Sequence, residues 1–426
     1  MSWTEAWSEY AQGIAARALF AHEWCTTRAA YNPLSRASQT DPYPMYRRLR
    51  ERDPVHRSRV IEGWVLTRYR DIAGVLRDPR FSADERHHPR FEAFRRRRVE
   101  LGIEAPDAPY DPSMLRLDAP DHTRLRSLVS RAFTARAVDR LAPRIAEIVE
   151  RRLARVEDGF DVIADLGTPL PVTVIAEMLG VPTHDLERFK HWSDEVVLGL
   201  GMSSIDDMRR SQRATDELGE FLGAIAEERR RDPRDDLITG LVQAHEAGDR
   251  LTRDEVLSTC TLLLVAGNET TTHLIGNATY ALLRHPDQLE WLRSHPEGLE
   301  DAVEELLRFD SPVQATSRFA TEDSELPGGP RVRRGQQVFL LLGAANRDPE
   351  VFHDPDRLDL TAARERHLAF GLGSHFCLGS QLARLEGRIA LGSLIRRFPG
   401  MKLAIERPRW RQNIILRGLE SLPVRV

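Results

Sequence analysis

Three short stretches hold the residue types that do chemistry. Phe370 to Gly379 reads "FGLGSHFCLG", a lone cysteine, Cys377, among glycines and aromatics. Ala266 to Thr271 reads "AGNETT" and sets an acid and hydroxyls, Glu269 and Thr270, in the middle of an apolar helical stretch. "EELLR" places Glu305 and Arg308 at i and i+3, on one helix face.

The cysteine has several possible uses, and its neighbours narrow them. Cys25, Cys260 and Cys377 are the only cysteines, an odd number at wide spacing, which argues against a disulfide framework and for a reducing compartment. None forms the CxxC spacing of a zinc site. A dinucleotide loop fails as well, because Phe376 stands where GxGxxG needs its third glycine and no clear buried strand precedes it. After Cys377 comes an apolar-periodic helix with Leu382, Leu385, Ile389 and Leu391, so the sulfur lies near a helix N-terminus, where the dipole favours a thiolate. Gly371, Gly373 and Gly379 let backbone approach a flat ligand, which suits thiolate ligation of haem iron. The plainer alternative is a buried free cysteine in a glycine-rich turn.

The other two stretches also have a plain reading. A carboxylate inside a buried helix is expensive, so Glu269 either serves chemistry or pairs with a distant arginine, and Thr270 can bond back to the Ala266 carbonyl. Most i,i+3 pairs such as Glu305–Arg308 are solvated and of little worth.

These groups must be positioned by a mostly helical body. Residues 41–80 read as helix, a hairpin around Glu62–Gly63, then helix. Residues 82–120, rich in proline and carrying Arg95 to Arg98, read as a long loop or short helices over a cavity. From 121 to 285 helical periodicity dominates, and the last helix opens on a capping box, Thr252 and Glu255, and ends at Arg284-His285-Pro286. It would span about 45 Å. Beyond residue 310, "PVQATSRFA" and "VRRGQQVFLLLGAANRD" read as strands of a small sheet.

Composition excludes some partners. Lys+Arg of 61 against Asp+Glu of 65 gives a formal charge of −4, so a nucleic-acid surface is not expected. Glu5 and Glu9 stand where a signal peptide needs a basic start, and no membrane-spanning run is expected, so a soluble cytoplasmic protein is the reading.

Phe370, Gly373, Cys377 and Gly379 fit the FxxGxxxCxG signature, with His375 two residues before the cysteine, and on these residues the chain resembles the cytochrome P450 family. The resemblance runs from about residue 40 to the end. It implies a mainly α fold with a small β part (α+β), a 1–40 N-terminal extension and one haem-thiolate domain over 41–426. Cys377 would be the axial ligand of haem b. Phe370, Gly371, Gly373, His375 and Gly379 would form its loop, and His122, Arg126, Arg318 and His367 would contact the propionates. Ala266 would open space over the iron while Glu269 and Thr270 deliver protons to O2. Glu305 and Arg308 would join a buried network completed by an upstream arginine. Ala362 takes that arginine's place, so Arg364 or Arg366 must substitute or the network is altered.

The same resemblance implies a monooxygenase acting on a lipophilic small molecule such as a terpenoid, steroid, fatty acid or polyketide. Its pocket would include Leu263, Ala266, Ala315 and Thr316, roofed by residues 81–120. Electrons would come from NAD(P)H through ferredoxin reductase and ferredoxin, docking near Arg384 and Arg388 of a monomeric chain. A peroxide-driven haem enzyme and a non-catalytic haem sensor are the alternatives, and the intact Glu269–Thr270 pair favours the first reading.

Overall fold

The computed structural model describes residues 19–25, 27–106, 113–182, 185–201, 203–246, 251–362 and 365–426. The expected helix, hairpin and helix over 41–80 form as α1 (Tyr43–Arg52), β1 (Val55–Ser58) paired antiparallel with β2 (Gly63–Leu66), and α2 (Tyr69–Arg77). The turn closes with Glu62 in the left-handed region, at φ 51°. Three further strands, β3 (Phe81–Ser82), β4 (Thr316–Ala320) and β5 (Gln337–Leu340), complete a five-stranded sheet in the order β1-β2-β5-β4-β3.

Strand texture stops at Leu340, earlier than the sequence pattern suggests. Leu342–Ala345 is a helical turn, because the Gly343 N–H donates to the Gln314 carbonyl and buried Asn346 caps the turn while accepting the Leu368 N–H at 2.6 Å. The chain is thereby aimed toward the cysteine loop. Within 81–120, helix α3 (Phe91–Glu100) buries none of its residues; Pro109 and Pro112 lie outside the described residues.

The body is helical. Of its helices, α4 (Asp121–Ser130), α5 (Leu186–Leu198), α7 (Arg253–Arg284) and α9 (Ser380–Arg397) bear on the site, with α6 (Ile205–Arg231) and α8 (Leu299–Phe309) between them. The capping box that opens α7 is present: the Glu255 N–H donates to Thr252 Oγ1 at 3.1 Å and the Thr252 N–H to Glu255 Oε2 at 2.7 Å. With 32 residues, α7 runs on the order of 48 Å. It is buried nearly all round because helices before and after it in the chain cover it. Ile175 and Ile163 meet it at Gly267 and Gly276, and its Leu274 fits against Gly387 of α9. One stretch, Val162–Leu179, matches a membrane span in length and apolarity, contrary to the sequence expectation, but 72% of it is buried inside the protein. It is core.

Candidate active site

Helix α7 is buried over most of its length, but one face opens at its middle. Ala266 is exposed, and Leu262, Gly267 and Thr270 are partly so, whereas Leu263, Leu264, Asn268, Glu269, Thr271 and Thr272 are buried. Spacing explains the stripe: 262, 266 and 270 recur every four residues and share a face. Leu263 therefore does not belong to the open face; it packs in the main apolar core, and Leu262 takes the position expected of it. Thr270 bonds back to the Ala266 carbonyl at 2.8 Å, so its hydroxyl hydrogen is committed while its lone pairs stay available.

Glu269 points elsewhere. It is 2% exposed and lies against Asp194 and Lys190 of α5 and Arg411 of the C-terminal segment. Burial, then the nearby Asp194 charge, raise its pKa to about 7. Asp194 shifts down, since burial is outweighed by Arg411 and Lys190; Lys190 Nζ contacts it at 2.6 Å and Arg411 at 3.1 Å. The two carboxyls thus differ in tendency to ionise, one held charged by cations and one held neutral by burial. Asp194 and Arg411 are far from Glu269 in sequence, and no spacing signal reveals them.

The cysteine loop is built from tight turns. Gly371 and Gly373 have φ 70° and 76°, and a Cβ on Gly373 would overlap the Leu76 carbonyl oxygen at the end of α2. The Cys377 N–H donates to the Phe370 carbonyl at 2.9 Å, folding the loop back so that the cysteine sits three residues before α9 begins. Cys377 is exposed, with Phe376, Leu378 and Gly379 beside it partly buried. Protein packed around the thiol pushes its pKa up, against the pull of the Gly379 N–H, Arg126 and Arg384. The helix terminus alone therefore does not yield a thiolate here, as the sequence had suggested; a bound cation would have to complete it.

Around the loop, four of the expected residues converge. The His122 and His375 rings meet at a tilt of 37° with centroids 4.2 Å apart, Arg126 donates to the Phe376 carbonyl at 2.6 Å, and Arg318 is buried with its guanidinium on the Ser317 carbonyl at 2.7 Å. Asp118 joins them, 3.8 Å from His375 and bonded by Ser82 and the Ala83 N–H. Burial opposes its charge, but these hydrogen bonds hold its pKa down to about 2. Burial, then His375 and Arg126, push His122 down to about 4, and burial lowers Arg318 to about 10. Sheet pairing places this group: Ser82 on β3 lies opposite Phe319, next to Arg318 on β4. Asp118 escaped the sequence reading, although its i,i+4 relation to His122, seen in the His122 N–H to Asp118 carbonyl bond at 2.9 Å, was a usable signal.

His367 does not join that group. Its Nε2 meets Glu304 at 3.2 Å and its Nδ1 accepts the Ala369 N–H at 3.1 Å, so both ring nitrogens are occupied. Glu304 also takes both ends of Arg384, at 2.6 and 2.9 Å, and that guanidinium lies 4.5 Å over the Phe370 ring. Arg384 is thus part of the wall behind the loop, while Arg388 is paired with Glu300 at 3.3 Å on the surface. Ala315 is likewise turned away, into a cluster with Tyr31, Phe339 and Leu341. Thr316, on the same strand face as Arg318, remains partly exposed.

Glu305 and Arg308 form a buried bidentate pair at 2.7 and 2.8 Å. Backbone completes the pair among the described residues: Arg308 donates to the carbonyls of Asn346, Pro355 and Arg357, and Glu305 accepts the Asp359 N–H. Arg366 does not reach it, its guanidinium lying over Phe376 instead; Arg364 lies outside the described residues. The Ala362 departure is thus met by carbonyls of the preceding loop.

An open cysteine in a tightly turned glycine loop, with two imidazoles in contact and the guanidiniums of buried Arg318 and partly buried Arg126 beside it, is a donor set for a flat dianionic macrocycle held through sulfur, and these residues fit haem. This defines the class as haem-thiolate protein. Residues 201–401 match the family model described as Cytochrome P450. The chain is 42% identical to Cytochrome P450 107B1 of Saccharopolyspora erythraea over 90% of its length and 95% of the relative's, and 42% identical to the Vitamin D(3) 25-hydroxylase of Pseudonocardia autotrophica over 90% and 93%. A solved structure of P450BioI with an acyl carrier protein bearing hexadec-9Z-enoic acid superposes with a TM-score of 0.84 at 38% identity, covering 92% of this chain and 100% of that one. The chain belongs to the cytochrome P450 family. It has the P450 fold and is a monooxygenase, an oxidoreductase that uses haem and incorporates oxygen from O2.

Proposed function

We propose that this monooxygenase inserts one oxygen atom into a C–H or C=C bond of a lipophilic small molecule, with Cys377 as the axial ligand and Ala266, Leu262 and Thr270 lining the same cleft. The observation that carries the reading is the open Ala266–Thr270 stripe at the middle of a largely buried central helix. Small side chains there leave room that core packing would otherwise fill. His122, Arg126, His375 and Arg318 would neutralise the two carboxylates of haem b, and Phe370, Gly371, Gly373 and Gly379 would shape the turn around the sulfur. Domain boundaries near residue 41 belong to the same reading, as does a cytoplasmic location, which the free thiols support.

Haem, when bound, supplies the iron at which dioxygen is activated, and thiolate ligation favours O–O cleavage. The chain supplies position and protons. Thr270, with its hydrogen held by the Ala266 carbonyl, accepts a hydrogen bond from a water in the cleft. Glu269, its pKa raised to about 7, holds a proton it can give up near neutral pH, and Asp194 with Lys190 and Arg411 connects it to the partly exposed side of α5. Electrons come from NAD(P)H through a ferredoxin reductase and ferredoxin.

A mostly apolar wall around this proposed cleft would favour steroid, fatty-acyl, terpenoid or polyketide skeletons. The relatives point the same way, one named for vitamin D(3) and one solved with a fatty-acyl carrier protein. A compound library is screened for the low-to-high-spin Soret shift of the ferric protein, and hits are turned over with NADPH, reductase and ferredoxin. Product with these partners and O2 supports the reading; equal rates with peroxide alone would assign a peroxygenase, and spectral shifts without product a sensor.

A further inference from the structure

His273 lies one helical turn beyond Glu269, on the same face of α7 and 1% exposed. Both of its ring nitrogens are buried without a hydrogen-bond partner among the described residues, an unfavourable state for a donor left unmet. Nε2 stands 3.6 Å from Glu269 Oε2, just beyond hydrogen-bond reach. The seat for this ring is specific: a Cβ on Gly418 would overlap the imidazole. Gly418 belongs to a hairpin in which Trp410 bridges Leu419 and the Arg411 N–H donates to the Gly418 carbonyl at 2.9 Å. The same hairpin sends the Arg411 side chain to Asp194. One element thus makes room for the imidazole and closes the outer side of the acid.

We propose that His273 is a positioning residue that gives Glu269 a second, inner station, its Nε2–H donating to the carboxylate once Glu269 has released a proton. The idea rests on Glu269 being the proton donor of the proposed function. In the structure Glu269 is turned to Asp194, a partner suited to it only while it is neutral. An ionised Glu269 would face a like charge there. Turning toward His273 closes the gap to a neutral donor and keeps the anion solvated by protein until a proton arrives from the Asp194 side. Balance is simple: one proton leaves Glu269 inward, one returns from outside, and His273 keeps its own. Asp194 and Lys190 on α5 and Arg411 on the hairpin are the charged groups facing the ring. Burial and the two cations push its pKa down to about 3, so it stays neutral as the role demands.

The test uses resting ferric holoenzyme. The carboxylic-acid infrared band that Glu269→Gln removes is titrated with pH. His273→Leu should raise its midpoint by about one unit, a tenfold loss of ionised fraction at pH values well below it, and His273→Gln, which keeps an N–H donor, should restore the original midpoint. An unchanged midpoint in His273→Leu overturns the proposal. Should that variant fail to bind haem, isotope-labelled histidine in the reduced-carbonyl form of the unaltered protein decides: a slowly exchanging Nε2–H that moves in Glu269→Gln supports it, and an Nδ1–H tautomer overturns it. Neither readout involves turnover, so a Glu269→Gln variant that stays fully coupled would remove the proton-donor role separately.

Discussion

Glu269 and Thr270 are consecutive residues whose side chains leave α7 on different faces, the acid sealed at 2% exposure against Asp194 and the hydroxyl on the open stripe with Ala266. A helix turns 100° per residue, so an acid-alcohol dipeptide necessarily spans two environments. In the proposed function this sets proton reservoir and delivery point next to each other along the chain, yet on separate sides of α7.

Replacing Thr270 with Ala should leave haem content and substrate affinity intact while reducing equivalents escape as peroxide. Product per NADPH should fall on the order of a hundredfold. Simultaneous assay of NADPH, peroxide and product checks this, and unchanged coupling would remove the delivery role.

Cys377→Ser should keep the fold, since no packing in the core depends on the sulfur, but should lose the red-shifted reduced-carbonyl band of thiolate ligation. Carbon monoxide difference spectra and far-ultraviolet circular dichroism, recorded together, separate ligation from folding.

Arg308→Ala should destabilise the protein by about 3–5 kcal/mol, because Glu305 and three backbone carbonyls lose a buried partner together. Chemical denaturation measures it. A loss below about 1 kcal/mol, the level of an exposed pair, would mean that the pair is not buried in solution.

His56 predicts an alkaline weakness. Burial lowers its pKa, but the hydrogen bonds it donates to Asp53 and Glu23 outweigh that and raise it from 6.5 to about 9. Protonated His56 therefore stabilises the fold fully below about pH 6.5, and that contribution, about 3 kcal/mol at most, disappears as pH climbs through 9. Glu23, shifted down, contributes above the ordinary carboxylate range and loses its share only in acid. Denaturation midpoints measured from pH 6 to pH 10 should fall more steeply in the unaltered protein than in His56→Gln.

Much of this molecule was legible as local pattern. Capping residues fixed the start of the long helix at Thr252, the Glu62–Gly63 turn fixed the first hairpin, and the Cys377 loop announced its chemistry through glycines and spacing, because each depends on contacts a few residues apart. What each side chain faces depended on packing between elements distant in the chain. Leu263 reads like Leu262 in sequence, and only the covering helices decide which one meets the cleft. His367 resembles a charge partner for a cofactor until Glu304 occupies it. Asp194, Arg411 and Gly418 reach Glu269 and His273 through α5 and a C-terminal hairpin, and no one-dimensional period encodes such a junction. Local hydrogen bonding and helical phase set the elements; burial, a property of the assembled core, set the charge states and directions on which the chemistry rests.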